Sequence, residues 1–194
     1  MKRFNLLLAA ALSTGALLSC GGGAEKAPDS VEAAKDTNDK KEDMNTIAVN
    51  EDDSKFLVFA ADAGMTEVQA AELAKAQGVS EKTKEFADAM IKDHNAAAND
   101  VKSLAATKNV TLPGTISEDH QKAIKDLTDK KGKDFEKAYV NMMVDDHQKV
   151  VDKFKEAADK CKDPDVKALA AKLLPTLEGH LEHAKTLKDG MKKA

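Results

Sequence analysis

The chain is poor in rigid, aromatic and reactive residues. Its 194 residues include 4 Pro, 2 Cys, 1 Tyr and no Trp, and aromatics make up only 4%. So few cysteines exclude a disulfide-framed small fold, and so little proline and glycine excludes a collagen-like chain. A multi-pass membrane protein is excluded by the 33% of residues that carry charge. There is no basic excess either. The 30 basic residues are outnumbered by 34 acidic ones, so the electrostatic footprint of a nucleic-acid binder is missing and no nucleic-acid partner is expected. What is present, 42% hydrophobic residues among abundant Ala, Lys, Asp and Glu, suits a soluble helical protein.

The N-terminus reads as an export signal. Lys2 and Arg3 precede an apolar run, Phe4 to Leu18, that is too short and alanine-rich to span a bilayer. It ends in Leu17-Leu18-Ser19-Cys20-Gly21. This resembles the lipobox of bacterial lipoproteins, which implies cleavage after Ser19 and a lipid on Cys20. The protein would then be held in the bacterial envelope, periplasmic or surface-exposed, with the membrane as its partner through that lipid. An ordinary secretory signal with an accidental Cys is the alternative. With Cys20 lipidated, Cys161 has no intramolecular partner and reads as a small, partly buried residue.

Residues 20–53 carry three glycines in a row, then mostly Ala, Lys, Asp, Glu, Ser and Asn. They are expected to form a disordered acidic tether. Their 4 Lys against 10 acidic residues give −6, which leaves the signal at +2 and residues 54–194 neutral. That last stretch is one domain. Ser80 before Glu81, Ser117 before Glu118, and Asp163 before Pro164 are helix-start signals, and Gly78 and Gly132 read as stops. They divide the domain into long helices near 54–77, 81–108, 133–160 and 164–188, with a short helix after Ser117 and a proline inside the last helix at Pro175. The fold class is all-α. The expected architecture is a four-helix bundle, ferritin-like if the long connection between the second and third helices is a crossover, with plain up-down topology as the alternative.

Each long helix has an apolar stripe at the 3.6-residue period, and each stripe has one polar break: Glu67, His94, His147 and His180. At 1.5 Å per residue, Glu67 lies about 18 Å before the first hairpin turn and His94 about 22 Å after it. His147 and His180 lie about 22 and 27 Å from the second turn, so all four fall near mid-bundle in either topology. A short repeat marks two of them: Met90-Ile-Lys-Asp93-His94 and Met143-Val-Asp-Asp146-His147. One carboxylate and three imidazoles suit a borderline divalent cation, Zn, Mn, Fe(II) or Cu(II). Asp93 and Asp146, about 100° round their helices from the histidines, are placed to hold a ring N–H on an adjacent helix. Met90 and Met143 add thioethers that suit Cu(I), although methionines at this spacing are commonly core fillers. His120 and His183 lie off the stripes and are expected to be solvated. The competing reading of the quartet is a metal-free hydrogen-bond network that fixes helix register.

Several motifs together resemble a known family. Met65-Thr-Glu67, Phe86-Ala-x-x-Met90-x-x-Asp93-His94, Leu112-Pro113, Asp134-Phe135-x-x-Ala138-Tyr139, His147, and Leu174-Pro175-x-Leu177-x-x-His180-Leu181 look like the bacterial domain of unknown function four-one-four-two. The resemblance covers about Phe56 to Leu187. It implies a ferritin-like fold and export, often as a lipoprotein, without a settled activity. The Glu-x-x-His pairs of di-iron ferritins are absent from this sequence, which argues against iron storage. No phosphate loop, Cys-x-x-Cys or nucleophile elbow is present.

Three readings follow. The preferred one is a lipid-anchored metal-handling or envelope-stress protein, more a binder than an enzyme, that holds a metal ion, with a small ligand as the alternative, at Glu67, His94, His147 and His180. The second is a structural or interaction module whose polar centre only specifies packing. The third is a transition-metal oxidoreductase.

Overall fold

Helix starts in this chain are written by side-chain caps, and the structure, a computed structural model, uses them. It describes residues 29–77 and 79–192. The expected signal peptide, Cys20 and the Gly78 stop lie outside the described residues.

Ser80 accepts from the Thr83 amide to open α3 (Glu81–Thr107), and Asn50 accepts from the Asp53 amide to open α2 (Glu51–Ala76). Ser117 caps the short α4 (Glu118–Thr128), and Asp163 caps α6 (Pro164–Met191), whose first residue is proline. α5 (Gly132–Lys160) begins at Gly132 with φ +54, a left-handed conformation that strains any residue with a Cβ. α3 ends in a Schellman motif: Asn109 adopts φ +58, its amide bonds the Ala106 carbonyl, and the Val110 amide bonds that of Ala105. α6 continues unbroken through Pro175.

The core settles the topology. One apolar cluster joins the N-terminal half of α2 (Phe56, Leu57), the C-terminal ends of α3 (Val101, Ala105) and α5 (Val151, Phe154), and the start of α6 (Val166, Leu169). The other joins the opposite ends: Ala70 and Ala74 of α2, Phe86 and Met90 of α3, Phe135 and Tyr139 of α5, and Ala184 and Leu187 of α6. α3 and α5 therefore run parallel. The chain between them returns along the bundle, with α4 packed on α2 and α5. This is the crossover arrangement of a ferritin-like bundle. Among the described residues no helix is long and apolar enough to cross a membrane.

Within the stretch expected to be a disordered tether, the structure shows a helix. Ser30–Asp43 form α1, whose Val31 and Ala34 pack against Val58 on the outer face of α2. Asp29 accepts from the amides of Val31, Glu32 and Glu118, and these hydrogen bonds hold its carboxyl below the usual range. Asn38 exchanges two hydrogen bonds with the Thr111 backbone, 2.9 and 2.7 Å. Polar ties of this kind dock a helix that has almost nothing apolar to bury.

Asp53, placed by composition at the end of that tether, is fully buried in the first turn of α2. Its two oxygens accept from the amides of Lys162 and Asp163, at 3.1 and 2.8 Å, and from the Asn50 side chain at 3.0 Å. It thereby locks the α5–α6 turn to α2. Burial, reinforced by Asp53, pushes the Cys161 thiol up to about 12, so this residue stays protonated and inert as a nucleophile.

Candidate metal centre

Between the two apolar clusters lies a polar layer made by Glu67 of α2, His94 of α3, His147 of α5 and His180 of α6, all buried. Parallel α3 and α5 explain the repeat: two Met-x-x-Asp-His segments entered from the same end deliver His94 and His147 to one height. The ring centroids of His94, His147 and His180 lie 5.3–5.6 Å apart. One ring nitrogen from each histidine falls within 4.8 Å of the other two.

Glu67 is not part of that converging set. Its oxygens stand 3.3 Å from Nδ1 of His94 and 3.0 Å from Nδ1 of His147. It backs two imidazoles by their Nδ1 edges, the place of an orienting carboxylate behind a ligand rather than of the ligand itself. His147 Nδ1 also lies 3.0 Å from the Met143 carbonyl, to which it donates, and this fixes the ring. On the remaining side Asp93 Oδ2 lies 3.1 Å from Nε2 of His180, across from α3 to α6. His94 Nε2, His147 Nε2 and His180 Nδ1 are left buried without a hydrogen-bond partner, and so are both Glu67 oxygens, which meet the two imidazoles at ion-pair distance rather than in aligned hydrogen bonds.

Electrostatics divide the group unequally. Burial pushes the Glu67 carboxyl up, but the adjacent His147 and His94 outweigh it and the net direction is down. Burial lowers His147, yet Glu67 and the Met143 carbonyl overcome it and hold it raised. His94 is lowered, chiefly by burial. His180 is driven down to about 4 by burial and by its neighbour His94, against the pull of Asp93. Glu67 is thus an anion among imidazoles, two of which stay neutral and keep a lone pair free.

The other residues singled out by sequence take different places. Asp146 pairs with Lys149 on its own helix at 3.2 Å. Met90 and Met143 are fully buried in the core cluster below the layer, and Met143 meets the site through its carbonyl. His183 is exposed and lies edge-on to Phe86. His120 departs from expectation: it is half-buried, with Nδ1 2.9 Å from Oδ2 of Asp62, whose Oδ1 accepts from the Ser117 amide at 2.8 Å. Asp62 thereby draws α4 onto α2, a role that the spacing of a short helix does not reveal. The Tyr139 hydroxyl, which no motif or spacing marks as part of the site, is buried without a partner and pushed up by burial and by Glu67. A phenol in an otherwise apolar stripe was its one signal.

Fold and layer together define a crossover four-helix bundle with a histidine-centred core. The chain belongs to the family described as Domain of unknown function (DUF4142), whose model matches residues 38–187. Its fold is similar to the crystal structure of a DUF305 fragment from Deinococcus radiodurans, with a TM-score of 0.65 and 13% identity over 73% of this chain and 97% of that one. No curated protein matches the chain.

Proposed function

We propose that the bundle binds a divalent transition-metal ion through His94, His147 and His180, with Glu67 and Asp93 orienting the ligand rings. The observation that carries this reading is the trio of buried nitrogens with no partner. Leaving a buried polar group unpaired costs about 1–3 kcal/mol. Three such groups gathered at one point are more readily understood as a donor set than as packing. A packing network would satisfy its members, whereas here Nδ1 of His147 and Nε2 of His180 are held by the Met143 carbonyl and Asp93 and the other nitrogen of each ring is left over.

The donor chemistry narrows the ion. Three imidazoles with no thiolate and little oxygen favour zinc or copper(II) over manganese and iron(II). A di-iron centre fits poorly, because it requires more carboxylates than Glu67 supplies. The cation would be held for carriage or buffering at the cell envelope, with the protein anchored by a lipid on Cys20.

Zinc and copper(II) titrations of untagged protein test the reading. One ion per chain is expected for wild type, and none at the same concentrations for His94→Ala and His147→Ala. Wild-type protein that takes up neither ion contradicts it. For the anchor, Cys20→Ala should abolish metabolic lipid labelling; persistent labelling removes that part.

A further inference from the structure

A cleft of about 660 Å³ opens between α2, α3 and α6 and has Glu67, His94 and His180 in its wall. That volume is in the range of small-molecule sites. The remaining wall is largely apolar, with Ala60 and Gly64 of α2, Ala97 of α3, and Leu173 and Leu177 of α6. His94 and His180 line the cleft although only 5% and 7% exposed, and each has an unpartnered ring nitrogen buried beneath this wall. His147 stands behind them, fully buried and outside the cleft.

Gly64 lines the cleft at a point where a side chain would project into open space. It lies within α2, where glycine weakens a helix relative to alanine. Its backbone is not left-handed, and a Cβ added there meets nothing within 4 Å. Neither conformation nor close packing calls for glycine at this position. What its missing side chain does is leave the cleft open one turn away from Glu67.

Building on the metal reading, we propose that the cleft binds a single-chain amphiphile with a carboxylate head. Its apolar tail lies along the alanine and leucine walls, and its head group approaches the cation held by the three histidines. Charge favours a monoanion. A divalent cation against buried Glu67 leaves one positive charge in a low-dielectric layer, which one carboxylate neutralises, while Asp93 is 36% exposed and screened by solvent. A neutral head of the same tail length forgoes that attraction.

Calorimetric titration of the zinc-loaded protein with decanoate, with decan-1-ol as the neutral control, tests this. Decanoate is expected to bind with one-to-one stoichiometry, at least tenfold tighter than the alcohol and at least tenfold tighter than to zinc-free protein. Gly64→Leu should weaken decanoate binding tenfold or more while zinc stoichiometry and the unfolding midpoint are retained, since leucine favours the helix and meets no atom at its Cβ. Zinc-loaded protein that ignores decanoate, binds the alcohol equally well, or binds decanoate unchanged after Gly64→Leu overturns the proposal and leaves the metal reading standing. If the protein takes up copper(II) rather than zinc, the same titration is made on the copper-loaded protein; failure to take up either ion overturns both readings, and the metal titration alone identifies that case.

Discussion

Two sets of polar groups are buried in this bundle, and they are treated in opposite ways. Near the α5–α6 turn, both oxygens of Asp53 are matched to donors, and beside α4 one oxygen of Asp62 accepts from the Ser117 amide. At mid-bundle, three histidines each keep one buried nitrogen without a partner. Burial alone therefore does not mark a functional group here. A satisfied polar group belongs to the fold, because its removal orphans the partners around it. An unsatisfied one is stability forgone, and its replacement by an apolar side chain costs little.

The comparison breaks most visibly at Asp53. Asp53→Ala leaves two backbone amides of a buried turn without an acceptor and should lower the urea-derived unfolding free energy by ~3 kcal/mol. A loss no greater than that of a surface substitution would mean that the turn does not depend on this carboxylate.

Next in size is the effect of Glu67→Gln, which sharpens the distinction between holding a metal and backing its ligands. Metal stoichiometry should survive while affinity falls ~10–100-fold, as is usual when a partner behind a ligand is changed. Complete loss of binding would place Glu67 among the ligands, as sequence alone suggests.

A smaller effect belongs to His120, raised above its ordinary value chiefly by its hydrogen bond to Asp62. A histidine whose folded pKa is raised contributes stability that is full below its unfolded pKa, ~6.5, and disappears as pH rises through the folded value. His120→Ala should therefore cost ~0.5–1 kcal/mol more at about pH 5.5 than at about pH 9. Equal costs at both values would show that the pair does not form as an ion pair. Smallest of all, His180→Leu in metal-free protein should change stability by less than ~1 kcal/mol, because it removes an orphaned nitrogen and a contact to a half-exposed carboxylate. A loss as large as that of Asp53→Ala would erase the distinction between the two sets.

Much of this organisation is legible in the amino-acid order. The caps at Ser80, Ser117 and Asp163 locate helix starts, and a single polar residue interrupting each apolar stripe locates the layer. Both signals are local, with periods and spacings that one helix carries by itself. The rest depends on distant partners. Asp53 looks like one more acid in an acidic stretch, because the amides it accepts from lie more than a hundred residues along the chain. α1 is hidden because its docking rests on Asn38 and Asp29 rather than on an apolar stripe. Whether Glu67 joins the histidines or stands behind them depends on which edge of each ring it meets, and no spacing encodes that.

X-ray absorption spectroscopy of the zinc-loaded protein tests the central claim most directly, because it reads the atoms around the ion. The account predicts a shell of imidazole nitrogens at ~2.0–2.1 Å, with three histidine rings contributing, and loss of bound zinc in His94→Ala. A shell dominated by sulfur or by carboxylate oxygen, or a shell unchanged in that variant, would contradict it.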